Sequence, residues 1–210
     1  MATHIFYHIY CNQLTIFTLR EQLAKIIYSG LYEKVTQIFC FISGDPKFVN
    51  QCALFLQTAG NKICITQIGY YDASCERFTI LSIKDYIAPE DKILYMHTKG
   101  VTKPFEEAVY AWRALIEYQL IGNHEKCLQL LNSYDTVGVN YRLQPQPHYS
   151  GNYWWTTGTY FLKLPPTIGD GYTDPEMYIL SANPNYYCIY DSEVSNHYDE
   201  TYPFNKYIDK

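Results

Sequence analysis

His97-Thr98-Lys99-Gly100 is the stretch of this chain best equipped for chemistry. It follows Ile93-Leu94-Tyr95-Met96, four apolar or aromatic residues that read as a short buried strand, and it ends in a permissive glycine. In an open α/β sheet, ligands bind at the carboxyl ends of strands. A diphosphate or a sugar at that edge would meet Lys99 as a point charge and Thr98 and the turn amides as donors. His97 would serve as donor or metal ligand. Four residues alone are also compatible with a plain strand-end turn carrying a solvated lysine.

A second stretch, His148-Tyr149-Ser150-Gly151-Asn152-Tyr153-Trp154-Trp155, carries more polar groups than a core strand requires. Indole faces stack on pyranose rings, Asn makes paired hydrogen bonds to hydroxyls, and Gly lets the backbone approach a ligand closely. Among the acids, Asp174 also reads as an ordinary helix cap before Pro175, which leaves Glu176 the likelier of the two to face a reaction. Asp191 and Glu193 with His197 form a set of hard-metal ligand types. Trp112-Arg113 suggests a core indole beside a guanidinium that binds either a phosphate or an internal carboxylate.

The elements that must position these groups alternate in the first half. Residues 4–11 read as a strand, followed by a helix with Thr18 and Glu21 spaced like a capping box, Leu19, Leu23, Ile26 and Ile27 on one face, and Gly30 at its end. Val35–Ser43 is a second strand. Asp45-Pro46 starts a helix that buries Val49, Ala53 and Leu56 and closes at Gly60. Lys62–Ile68 is a third strand, and Ser74 caps a helix through about Tyr86. This order predicts a parallel sheet with right-handed crossovers. Beyond Gly100 the pattern is less regular. It gives helices over Pro104–Leu120 and His124–Asn132, a strand Thr136–Asn140, a long loop Tyr141–Gly151 and a strand Asn152–Tyr160. A turn region Pro165–Asp174, a short helix Pro175–Leu180 and a strand Tyr186–Tyr190 complete it.

With no repeat and no linker, residues 1–210 are expected to form a single domain. Its first half, about 1–100, is regular in pattern and its second, about 101–210, irregular. A hydrophobic share of 48% and a charged share of 18% are those of a folded chain, not a disordered one. The net charge of −5 and the absence of a basic run argue against nucleic acid as partner. The 23 tyrosines suit pockets for polar rings, although compositional bias would produce the same count. Seven cysteines without a CxxC pair, no basic leader and no long apolar run point to a cytoplasmic chain without a membrane span. No GxGxxG follows the first strand, and neither a Walker loop nor a GxSxG elbow occurs.

In order along the chain, Tyr95-Met-His-Thr-Lys-Gly-Val101, Trp112-Arg113, Val137-Gly-Val-Asn140 and His148-Tyr-Ser-Gly-Asn-Tyr-Trp-Trp155 resemble the motifs of a glycosyltransferase family of the GT-A fold. Its members occur in bacterial surface-polysaccharide clusters and large DNA viruses. The similarity runs from about residue 4 to 200 and is strongest to the N-terminal glycosyltransferase domain of chlorella-virus proteins that glycosylate the capsid. The resemblance implies an α/β, GT-A fold, a Rossmann-like mixed sheet flanked by helices, and transfer of a hexosyl unit from a UDP-sugar to a glycan or glycoprotein hydroxyl. A divalent ion, Mn²⁺ or Mg²⁺, would assist, with retention of configuration favoured over inversion.

By the same resemblance, Tyr10 and Cys11 with Tyr71 and Asp72 would hold the nucleoside. His97, Thr98, Lys99 and Gly100 would hold the diphosphate, and Ser150, Gly151, Asn152 and Trp154 would line the sugar side. Glu176 would be the acid nearest the anomeric carbon, with Asp174 and Asn152 as further catalytic candidates. His197 would close over the phosphates, and His97, Asp191 and His197 are the metal candidates. Two departures from the pattern stand out: no Asp-x-Asp follows the fourth strand, and Pro175 precedes Glu176 where a small residue is usual. They motivate the alternative of a sugar-nucleotide or carbohydrate-binding module without catalysis. A nucleotidyltransferase would need a Gly-rich basic loop after strand one, which Asn12–Thr18 is not.

Overall fold

The computed structural model describes residues 1–69, 76–103 and 106–208. Its centre is a seven-stranded sheet in the order β3-β2-β1-β4-β8-β5-β9. The strands are β1 (Thr3–Cys11), β2 (Gln37–Gly44), β3 (Ile63–Ile68), β4 (Lys92–His97), β5 (Thr136–Val139), β8 (Trp154–Thr157) and β9 (Tyr186–Tyr190). The first four pair in parallel, as the alternation of strand and helix predicts. β8 runs antiparallel between β4 and β5, and β9 returns parallel to β5. The sheet is therefore mixed, and the α/β, GT-A-type fold expected from the sequence is the one found.

Side chains alternate across the sheet and so build two cores. Ile5, Tyr7 and Ile9 of β1 and Leu94 and Met96 of β4 pack on one face. That face is covered by α1 (Thr15–Tyr28), α3 (Pro46–Ala59), α5 (Glu107–Glu117) and α6 (His124–Leu130). Phe6, Ile93 and Tyr95 point to the other face, under α4 (Arg77–Ser82), α7 (Gly158–Phe161) and α8 (Asp174–Tyr178). The tryptophan pair of β8 straddles the sheet, Trp155 in the first core and Trp154 in the second, both fully buried.

Several local expectations shift. α1 begins at Thr15, so Thr18 and Glu21 lie inside the helix and form no capping box. Asn12 turns the chain earlier: its side-chain oxygen accepts the Leu14 N–H at 2.9 Å, and its amide donates to the Val101 carbonyl at 2.6 Å. Ile27 is exposed, off the buried stripe. Gly30 ends the helix at φ 82, and a short α2 (Leu31–Lys34) follows. Asp45 caps α3 as expected, accepting the Lys47 N–H at 2.9 Å. The stretch 141–151 is not a bare loop, because β6 (Tyr141–Arg142) and β7 (His148–Tyr149) pair within it. The strand expected to reach Tyr160 stops at Thr157, whose hydroxyl accepts the Tyr160 N–H and starts α7. Among the described residues no helix is long and apolar enough to cross a membrane.

Candidate functional site

The chain places β2 and β3 outward from β1 and then returns to add β4 on its other side. The crevice at a switch of this kind, beyond the carboxyl ends of the strands, is the usual place for a ligand. Here those ends are Tyr10 on β1 and His97-Thr98 on β4, and a cleft of about 520 Å³ opens above them. Its lining brings together Tyr10, His97, Thr98, Lys99, Gly100, Gly151, Asn152 and Glu176, all expected from the sequence. To these it adds His8, Glu76, Lys103, Tyr172 and Tyr198.

Lys99 lies on the cleft floor, about nine-tenths buried. Its ammonium nitrogen stands 3.5 Å from the centroid of the Trp112 ring and has no hydrogen bond or ion pair among the described residues. Trp112 in turn stacks on His197, with ring centroids 5.2 Å apart. Burial lowers the Lys99 pKa to about 8, against the opposing pull of Glu176 and Glu76. The group is still mostly cationic at pH 7, and it is poorly solvated.

Glu76 anchors the opposite wall. Its Oε1 lies 3.1 Å from His97 Nδ1, and its Oε2 accepts from the Tyr95 hydroxyl at 3.1 Å and from the Asn152 amide. His97 Nε2 lies 3.1 Å from the Gly151 carbonyl oxygen. Burial, with the Lys99 charge, pushes the His97 pKa down to about 3. Both ring nitrogens nevertheless face oxygen acceptors, the Glu76 carboxylate and the Gly151 carbonyl, and a neutral ring can donate to one of them only. Glu176 Oε1 accepts the Gly151 N–H at 2.5 Å, while its other oxygen takes no hydrogen bond among the described residues. Gly151 is itself required here. Its φ is +100, and a Cβ would stand 2.5 Å from Ile116 Cδ1.

A buried network holds the strand end from behind. Gln22 Nε2 donates to Glu117 at 2.6 Å, to the Tyr153 hydroxyl at 2.8 Å and to the His97 carbonyl at 3.2 Å. Arg113 pairs with Glu21 at 2.7 Å and with Glu117 at 3.4 Å and donates to the Lys99 carbonyl at 3.2 Å. Arg113 thus binds internal carboxylates, the second of its two expected roles, and fixes the turn rather than a ligand.

Other expected residues take different places. Cys11 is fully buried beside Cys52 and packs in the core, because the alternation of β1 turns it inward. Trp154 is fully buried, stacked 4.9 Å from Tyr95, and offers no face to a sugar. Its Nε1 donates to Asn152 Oδ1 at 3.0 Å, so its part is to orient Asn152. Thr98 lines the cleft, but its hydroxyl accepts the Tyr10 N–H at 3.0 Å and so ties β4 to β1. Ser150 does not line the cleft; its N–H donates to the Asn140 carbonyl at 3.1 Å. Asp174 also lies outside the lining. Its carboxylate accepts the Gly171 N–H at 2.8 Å and shapes the loop that carries Tyr172. Tyr71, Asp72 and Ser74 lie outside the described residues.

The three metal candidates do not converge. Asp191 pairs with Arg142 at 2.9 Å on the exposed side, and His197 Nε2 is engaged by Ser192 at 2.9 Å and Asn140 at 3.2 Å. Among the described residues no group of three or more His, Cys, Asp or Glu side chains could hold a metal ion. The described residues do not fit the divalent ion that the resemblance implied.

A family model described as "Domain of unknown function (DUF8361)" matches residues 6–168. The chain belongs to this family. No curated protein matches it. Among solved structures, HddC from Yersinia pseudotuberculosis is similar at a TM-score of 0.51 and 9% identity, over 91% of both chains, which shows a shared fold. The 4-diphosphocytidyl-2C-methyl-D-erythritol synthase from Anaerococcus prevotii gives a TM-score of 0.47 and 10% identity, over 90% of this chain and 87% of that one.

Glu76, the residue on which His97, Tyr95 and Asn152 converge, was not singled out in the sequence. The available signal was its place just beyond the third strand, at the same sheet edge as the tetrad. Tyr172 was overlooked as one tyrosine among 23.

Proposed function

We propose that this DUF8361 chain transfers a hexosyl unit from a nucleoside-diphosphate sugar, with UDP as the expected nucleotide, to a hydroxyl of a glycan or glycoprotein. One observation carries the reading: a buried, unpaired Lys99 ammonium shares a cleft with the Glu176 carboxylate. Breaking a glycosyl–phosphate bond builds negative charge on the departing β-phosphate oxygen and positive charge on the anomeric carbon. Lys99 would meet the first, with Lys103 at the rim, and Glu176 the second. Preorganised charge of this kind is usually the largest single catalytic contribution. Asn152 and the Gly151 amide would hold the sugar and Glu176 in register, and Tyr10, a third exposed at the cleft edge, would take the base. In this reading the diphosphate charge falls on lysines, and the viral capsid or a surface polysaccharide supplies the acceptor.

The test is UDP release from a panel of UDP-hexoses by wild type and Glu176→Gln, run beside thermal shift with UDP-, GDP- and TDP-sugars. Glu176→Gln keeps an oxygen for the Gly151 N–H, so the fold and the ligand-induced shift should persist. Turnover should fall by roughly 10²–10⁴-fold, the range for losing a positioned carboxyl group. Absence of any shift across the panel overturns the nucleotide-sugar reading. A shift without turnover in wild type leaves a binding module.

A further inference from the structure

A second hollow, of about 390 Å³, lies on the far side of the Lys99–Lys103 turn, between α1 and α5. We infer that it is a subsite for an uncharged acceptor glycan, beside the cleft that takes the diphosphate; this rests on the glycosyltransferase reading. Two aromatic rings face it from neighbouring helices. Phe17 is 65% exposed and has no ring partner among the described residues, while Tyr110 is 54% exposed. The Tyr110 ring is held in place, since its hydroxyl donates to Glu21 at 3.0 Å and the Arg113 guanidinium lies 5.1 Å from its centroid. A fixed, open ring is a low-entropy platform for the C–H face of a pyranose.

Lys99 lines both hollows, and most of the rest of each lining differs. In the cleft, an unpaired lysine favours an anion. The second hollow is rimmed by Glu21, Glu106 and Glu107, and its one exposed cation, Lys103, lies 3.7 Å from Glu106. Glu107 has no ion pair among the described residues. Lys99, Lys103 and Arg113 in the same lining balance these three carboxylates, and the net-neutral hollow offers acceptors for sugar hydroxyls. The hollow also adjoins the reaction cleft: Lys99, Gly100, Val101 and Lys103 line both. A glycan seated against Phe17 and Tyr110 would therefore approach the site of transfer along the turn.

The experiment titrates wild type, Phe17→Ala, Tyr110→Ala and Tyr110→Phe with cello-, malto- and xylotetraose, and follows Kd by calorimetry and ligand-observed NMR. Thermal shift with UDP-sugars is read on the same proteins. The expected result is millimolar binding of at least one tetrasaccharide, weakened fivefold or more by either alanine variant and restored by Tyr110→Phe, with the UDP-sugar shift unchanged. Failure of every tetrasaccharide to bind wild type, or binding undiminished in either alanine variant, overturns the inference. Loss of the UDP-sugar shift in wild type would instead count against the transfer reading, so the two failures are distinguishable.

Discussion

Replacing Lys99 with Met separates binding from stability, because the two should move in opposite directions. Met keeps the apolar stem and removes the charge. The Lys99 pKa falls from 10.5 to about 8, chiefly through burial. At 1.36 kcal/mol per unit this is a penalty of about 3 kcal/mol on the folded state. The contact with Trp112 at 3.5 Å offsets about 2 kcal/mol of it. Lys99→Met should then stabilise the protein by about 1 kcal/mol at pH 7, or 2–4 °C in Tm for a chain of this size.

The pH dependence carries the sign. With a folded pKa below the unfolded one, the unfolded chain holds more protons between pH 8 and 10.5. The penalty is whole below about pH 8 and disappears as pH approaches 10.5. The advantage of the variant should therefore be present at pH 7 and shrink, or reverse, at pH 10. The assay is a pair of melting curves at each pH, with and without UDP-sugar. Wild type should gain Tm with ligand and Lys99→Met should not. A variant that melts 5 °C or more below wild type at pH 7, or one that keeps the ligand-induced shift, would refute the reasoning.

Affinity for UDP-sugars should be flat from pH 6 to 7.5 and then decline, by up to tenfold per unit, as pH passes about 8 and Lys99 loses its proton; calorimetry across this range checks it. Gly151→Ala must place a Cβ 2.5 Å from Ile116 Cδ1 at φ +100 and should cost about 2–4 kcal/mol, seen as a lower urea midpoint. Trp154→Ala should cost about 3–5 kcal/mol by emptying a fully buried site. Trp154→Phe keeps a ring in the core but removes the Nε1–H that orients Asn152, so the UDP-sugar Kd should weaken severalfold; an unchanged Kd would show that Asn152 does not hold the sugar.

The parallel half of the fold was legible because each strand there is a β-branched or aromatic run, punctuated by Asp45-Pro46, Gly30 or Gly60. These are local signals, and local physics decides those elements. The antiparallel insertion of β8 between β4 and β5 was not legible, since nothing in Trp154–Thr157 names its neighbours. The same gap explains the misread Trp154. Alternation in β8 guarantees that Trp154 and Trp155 face opposite sides, but whether a side is solvent or core depends on α7 and α8, far along the chain. The tetrad His97–Gly100 was found because its residue types are conspicuous at a strand end. Glu76 was not, because an acid after a strand looks like any solvated residue until folding sets its carboxylate 3.1 Å from His97 Nδ1. Asp191 and His197 fail as metal ligands for the converse reason. Spacing brought them together on paper, but Arg142 takes one at 2.9 Å, and Ser192 and Asn140 take the other. Sequence proposes which groups could act, and the partners supplied by distant segments decide which are free to. In this chain the Lys99 ammonium, resting on the Trp112 ring, and one oxygen of Glu176 have no hydrogen bond or ion pair among the described residues, and that, more than their chemical type, is the argument for assigning the reaction to them.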